Sequence, residues 1–253
     1  MDRVTDIASD LGEEPARSSG SARPLVDALF FDVFGTLVDW RGTIAREASA
    51  LLGRPIDGEA FADAWRAEYQ PGMEGVRAGN RGYVRLDILH RENLDRILPR
   101  FGLDDLDDET RGRLTLLWHR LDAWPEVEFG LSRLRRLFRL APVSNGNIGL
   151  MVDLARHNGF HWDAVLGAEI ARDYKPKPAV YLASAEALGL PPSRCMMVAA
   201  HSSDLAAAGA CGLRTAHVAR ADEYGPGSGE CGPTVPVDVA AASLTELAEM
   251  LGA

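Results

Sequence analysis

A chain of 253 residues with a formal net charge of −10 has room for one large domain, or for a core with a smaller companion. The acidic balance excludes an ordinary nucleic-acid binder, and it obliges any small anionic substrate to find a local positive site against the overall field. No apolar run nears the roughly 20 residues of a membrane span, and 46 % hydrophobic with 25 % charged residues is the make-up of an ordinary globular protein.

Met1 to Arg23 mix acids, Ser and Gly without an apolar segment, so residues 1–25 are expected to form a flexible tail and not a secretory signal. Val26 to Phe31 is apolar and aromatic-rich and predicts a short buried strand that ends at Asp32 and a Gly-Thr turn. From about Arg41 to Glu128 the pattern is helical, with apolar residues at helical spacing over Thr43 to Leu52, Phe61 to Tyr69, Val84 to Ile97 and Leu114 to Leu121. With no strand-like alternation between them, these read as a small antiparallel bundle.

The pattern then changes. Gly130 to Leu137 predicts a helix, Leu140 to Val143 a strand ending in Ser144-Asn145-Gly146, and Ile148 to His157 a helix. Ala164 to Gly167 follows as a strand, Pro178 to Leu188 as a helix, Cys195 to Ala200 as a buried strand, and Asp204 to Ala210 as a helix. Thr215 to Val218 is a further strand, Ala221 to Pro236 a Gly- and Pro-rich loop, and Leu244 to Leu251 a closing helix. Alternating strands and helices imply right-handed crossovers and a parallel sheet. The expected architecture is an α/β, Rossmann-like core over residues 26–42 and 128–253, with an inserted helical-bundle cap over 43–127. Cys195, Cys211 and Cys231 are odd in number and lack paired metal spacing, which favours free thiols in a reducing cytoplasm.

Polar residues follow several of the strands: Asp32, then Ser144 and Asn145, then His201 to Asp204. Lys175 stands in Asp173-Tyr174-Lys175-Pro176 before a helix. Strand ends of one parallel sheet meet at one edge, so these groups can converge from far apart in sequence. A carboxylate nucleophile, a hydroxyl–amide pair, a lysine and a distal carboxylate suit displacement through a covalent aspartyl intermediate.

In order and in kind, Asp32-Val33-Phe34-Gly35-Thr36, Ser144-Asn145-Gly146, Lys175-Pro176 and Asp204 resemble the four motifs of the haloacid dehalogenase superfamily, over most of the chain from about residue 26. Phosphatase members carry a second Asp two positions after the nucleophile, as general acid beside Mg²⁺. Phe34 can do neither job. The 2-haloacid dehalogenases carry an aromatic residue there, and Trp65-Arg66, Tyr181 and Glu223-Tyr224-Gly225-Pro226 also resemble that branch. The resemblance implies hydrolysis of small 2-haloalkanoic acids to 2-hydroxy acids with no cofactor and no metal. It further implies a homodimer that touches through an apolar cap face, while the net charge, the lack of a long apolar run and the thiols lead us to expect no nucleic-acid or membrane partner and a cytoplasmic setting.

The implied roles are specific. Asp32 attacks the halogen-bearing carbon, Lys175 keeps it ionised, and Asp204 orients or deprotonates the water that opens the ester. Halide needs no proton, so Phe34 can serve to dry the site. Arg66 and the Asn145 amide would hold the halide, with Arg41 as a rival. Ser144 and Thr36 would hold the substrate carboxylate. Tyr181 reads equally as a site residue or a packing residue. His201 replaces the Asn of better-known relatives and Ala199 replaces their Ser, so His201 reads either as a contact to the water or Asp204, or as a structural residue at a strand end. Two other readings stay open: a Mg²⁺-dependent phosphatase of the same fold, and a non-catalytic binding member.

Overall fold

The computed structural model describes residues 25–253. The expected tail lies, but for Leu25, outside the described residues. The chain runs through β1 (Ala28–Phe31), β2 (Val38–Asp39), α1 (Trp40–Leu52), α2 (Gly58–Ala67), α3 (Tyr69–Arg77), α4 (Leu86–Ile97) and α5 (Asp108–Thr115), then a 3₁₀ turn over Leu116–Arg120. It continues through β3 (Asp122–Ala123), α6 (Val127–Leu134), β4 (Arg139–Ser144), α7 (Ile148–Asn158), β5 (Leu166–Gly167), α8 (Ala168–Ala171) and α9 (Pro178–Ala187). The last elements are β6 (Cys195–Ala199), α10 (Ser202–Ala210), β7 (Arg214–Val218), β8 (Val239–Ala241) and α11 (Leu244–Met250).

Six strands form one parallel sheet in the order β5-β4-β1-β6-β7-β8. β1 lies inside it, paired to β4 through Phe31↔Pro142 and to β6 through Phe31↔Val198, so both of its edges are occupied, and a buried apolar cluster covers each face. That is why Ala-Leu-Phe-Phe is apolar without alternation. Successive side chains still point to opposite faces. Leu29 and Phe31, with Leu140, Met196 and Val198, join the larger core, whereas Ala28 and Phe30, with Val143, Cys195 and Met197, pack on the other face with Val180, Tyr181 and Leu205.

The helical block inserts between β1 and β4, and its base is a feature that the sequence pattern did not show. Outgoing β2 and returning β3 pair antiparallel, Val38↔Ala123 and Asp39↔Asp122, and close the stalk of the insertion. Two-residue strands carry too few side chains to show a period. The helix expected over Phe61 to Tyr69 is broken at Glu68 into α2 and α3. Pro71, on the first turn of α3, has no N–H to continue an α-helix from α2 and its ring would strike the carbonyl four residues back. The break turns Tyr69 inward, 5 % exposed. The helix expected over Leu114 to Leu121 is the end of α5 followed by the 3₁₀ turn, which buries Trp118 and His119. β8 is a further short strand that was not expected, and it extends the sheet beyond β7.

Polar side chains fix the helix starts: Asp57 accepts from the Ala60 N–H at 3.0 Å, and Asp107 from the Thr110 N–H at 2.7 Å. Among the described residues no helix is long and apolar enough to cross a membrane, and Cys195, Cys211 and Cys231 are free.

Candidate active site

The first link is backbone geometry. β1 ends in a hydrogen bond from the Asp32 N–H to the Val198 carbonyl at 3.0 Å, and the chain then turns through Gly35 at φ +83°. Thr36 therefore folds back under the carboxylate. Its hydroxyl donates to Asp32 Oδ2 at 2.8 Å and accepts from the Ala200 N–H at 2.9 Å. β6 ends beside it and delivers His201 and Asp204; the loop after α8 delivers Lys175. This is the carboxyl-end edge of the sheet, where open α/β folds place ligands.

A cavity of about 370 Å³ opens over that edge, lined by Asp32, Phe34, Arg66, Asn145, Lys175, His201 and Asp204 among others. Its size suits a small acid. Lys175 Nζ bridges the two acids, 2.9 Å from Asp32 Oδ1 and 2.5 Å from Asp204 Oδ2. His201 Nδ1 stands 3.0 Å from Asp32 Oδ2 and its Nε2 2.8 Å from Glu223 Oε2. Burial by itself would raise the Asp32 pKa. The Lys175 ammonium and the bonds from His201 overcome it and hold the carboxyl well below the usual range. Burial would lower Lys175 and His201, but the carboxylates outweigh it. Lys175 is held well above the ordinary lysine value by Asp204 and Asp32, and His201 is pushed up to about 10 by Asp32 and Glu223. Asp32 is thus an ionised, desolvated carboxylate, the form that a nucleophile requires.

The roof comes from the insertion and is aromatic. The Phe34 ring meets Trp118 edge-on at 5.7 Å and Tyr69 at 6.4 Å. The Arg66 guanidinium lies 4.1 Å over the Tyr69 ring and 5.3 Å from that of Trp40. Its Nη1 is buried with no hydrogen-bond partner among the described residues. A buried guanidinium donor left open beside a cavity is a place for an anion. Asn145 Oδ1 accepts from the Lys175 N–H at 2.8 Å, which leaves the NH₂ half of that amide as its donor, directed to the Tyr69 hydroxyl at the cavity wall.

Seven of the ten expected site residues line this cavity. The other three are turned to different tasks. Thr36 holds Asp32 from beneath. Ser144, fully buried, accepts from the Gly146 N–H at 3.1 Å, so it shapes the turn after β4 and does not face the substrate space. Tyr181 donates its hydroxyl to Asp204 Oδ1, fixing that acid from behind the sheet edge. Arg41 is bound outside the cavity to Asp63 at 2.7 Å and Glu59 at 3.0 Å. Tyr69, Gln70 and Ser203 also line the cavity and were not anticipated; Pro176 and Tyr224 line it too, marked in the sequence only as parts of motif stretches and without a role. Glu223 stands behind His201, 1 % exposed. Only the Glu223-Tyr224-Gly225-Pro226 resemblance marked that loop in the sequence.

A family model described as haloacid dehalogenase-like hydrolase matches residues 26–212, and the chain belongs to that family. The crystal structure of the defluorinating L-2-haloacid dehalogenase Rha0230 is similar, with 44 % identity and a TM-score of 0.87 over 90 % of this chain and 96 % of that one. The (S)-2-haloacid dehalogenase 1 of Pseudomonas sp. (strain CBS-3) is 29 % identical over 198 residues, 77 % of this chain and 85 % of the relative. Haloacetate dehalogenase H-2 of Moraxella sp. (strain B) is 28 % identical over 212 residues, 83 % of this chain and 91 % of the relative.

Proposed function

We propose that this protein hydrolyses the carbon–halogen bond of small (S)-2-haloalkanoic acids, haloacetates included, to 2-hydroxy acids through an aspartyl ester on Asp32. The observation that carries this is the environment of Asp32: an ionised carboxylate in a small cavity that is also lined by an aromatic ring at position 34 and by Arg66, whose buried Nη1 has no hydrogen-bond partner among the described residues. The names and similarity of the relatives support it.

In the first step an Asp32 oxygen displaces halide in line, with inversion at carbon. The halide leaves as an anion toward Arg66 and the Asn145 amide and needs no proton. The enclosed aromatic roof keeps water off the attacking oxygen, and positioning supplies much of the acceleration. In the second step water attacks Cγ of Asp32. Asp204, fixed by Tyr181 and Lys175, takes one proton from that water and returns it to the departing alkoxide. Asp32 recovers its carboxylate by releasing the remaining proton. The helical insertion over residues 43–127 acts as the cap that excludes bulk water during both steps. Within this reading the protein is a cytoplasmic homodimer. The three free thiols fit a reducing compartment, and exposed Ile88 and Leu116 on the insertion supply apolar surface for self-contact.

A phosphatase built on this fold needs an acid at position 34 to protonate an alkoxide leaving group; Phe34 has none to offer. Halide release is the test, measured on (S)- and (R)-2-chloropropionate and chloroacetate, with and without chelator and with phosphate esters alongside. The expected result is chelator-insensitive release from the (S) acid and chloroacetate. Asp32→Asn is expected to lower it by at least about 10⁴-fold. Turnover of phosphate esters that depends on Mg²⁺, with no halide released, would overturn the reading.

A further inference from the structure

We propose that His201 and Glu223 form a cationic clamp on Asp32 Oδ2 whose work is the second half-reaction, hydrolysis of the aspartyl ester; this rests on the dehalogenase reading above. The charge of the clamp follows from geometry. His201 Nδ1 faces Asp32 Oδ2 at 3.0 Å and Nε2 faces Glu223 Oε2 at 2.8 Å. Ionised carboxylates only accept, so each ring nitrogen must donate and the ring is an imidazolium.

Glu223 is built in, not incidental. It is 1 % exposed, accepts from Trp40 Nε1 at 3.1 Å, and packs against Gly35, where a Cβ would stand 2.1 Å from Glu223 Oε1. Gly35 therefore serves two needs, the left-handed turn at φ +83° and the space for this carboxylate.

The two oxygens of Asp32 are treated differently. Among the described residues Oδ2 takes two donors, the Thr36 hydroxyl at 2.8 Å and His201 at 3.0 Å, and Oδ1 takes one, Lys175 Nζ at 2.9 Å, an ammonium shared with Asp204. The geometry assigns attack to Oδ1. Once Oδ1 carries the alkyl group, Oδ2 is the ester carbonyl oxygen, already held by an imidazolium N–H and a hydroxyl. When water adds to Cγ, the π pair moves onto Oδ2 and the negative charge develops against those two donors. Collapse re-forms the carbonyl and breaks the Cγ–Oδ1 bond, and the alkoxide leaves with the proton that Asp204 took from water. The same cation must make Asp32 a less reactive nucleophile in the first half-reaction, because it stabilises the ionised ground state. Its benefit therefore lies in the second, where charge on Oδ2 grows. His201 is a catalytic residue in this scheme and Glu223 a positioning residue.

The test is rapid-quench intact-mass analysis with (S)-2-chloropropionate, beside steady-state kinetics, for the wild type, His201→Asn and Glu223→Gln. In the wild type the ester is expected to stay scarce during turnover. In both variants a first-turnover burst of halide is expected, the ester accumulates, and kcat falls by about 10²-fold. kcat/KM, which reports only the steps through halide loss, should not fall, and it rises to the extent that the cation had held Asp32 back. Formation of the ester itself proves that the variant site is folded. An unchanged ester lifetime, or equal losses in kcat and kcat/KM in both variants, would overturn the clamp and leave the dehalogenase reading standing. Absence of both halide and ester in the wild type would remove the dehalogenase reading itself.

Discussion

At the sheet edge His201 lies between Asp32 and Glu223 and is pushed up to about 10, whereas in the helical roof His90 stacks on Trp118 at 4.2 Å and is pushed down to about 3. Burial favours the neutral ring in both. At His201 two carboxylates reverse it. At His90 burial dominates, the Arg66 and His119 charges add to it, and Asp87 opposes it only in part. The floor of this cavity is thus a lattice of paired charges, and the roof is a set of rings that offers His90 no hydrogen-bond partner among the described residues. On the function proposed above, charge chemistry falls to the floor and exclusion of water to the roof.

The contrast breaks most visibly at Lys175. Lys175→Met keeps most of the apolar stem but leaves Asp32 and Asp204 without the ammonium that lies between them. A stability loss of about 3–5 kcal/mol is expected in urea unfolding, together with loss of halide release. A loss under about 1 kcal/mol would show that the floor is not held by this ion pair.

A second way to test the floor is pH. The folded-state value of His201, about 10, lies above the ordinary 6.5. The stabilisation it supplies is therefore complete below pH 6.5 and is lost as pH rises through about 10. Unfolding free energy should fall across that window in the wild type, and the part of the fall due to this ring should vanish in His201→Asn. Parallel pH curves for the two proteins would refute the assignment.

The roof should answer in the opposite sense and by less. His90→Phe replaces two orphaned ring nitrogens by carbon at similar volume, within contact of Phe34, Tyr69, Trp65 and Trp118. A gain of about 1–2 kcal/mol is expected by thermal or urea unfolding. A clear loss would mean that a polar contact to His90 holds the roof after all.

Five of the six sheet strands, the order of their strand-end residues and the presence of a helical insertion were legible in the sequence, whereas edge strand β8 was not. Apolar runs such as Ala28–Phe31 and Cys195–Ala199, and helical spacing as in α4 and α7, record burial directly in residue type and period. The sequence also brought Asp32, Lys175 and Asp204 to one edge, because parallel strand ends share an edge whatever the loops between them do. The direction in which each polar side chain turns follows from packing and not from any pattern along the chain. Thr36, Ser144 and Tyr181 bind protein groups, while Tyr69 reaches the cavity because Pro71 breaks a helix. Glu223 meets Trp40 across 183 positions of chain and His201 across 22. A hydrogen bond has no period along the sequence; it depends on distances that exist only once the core has packed.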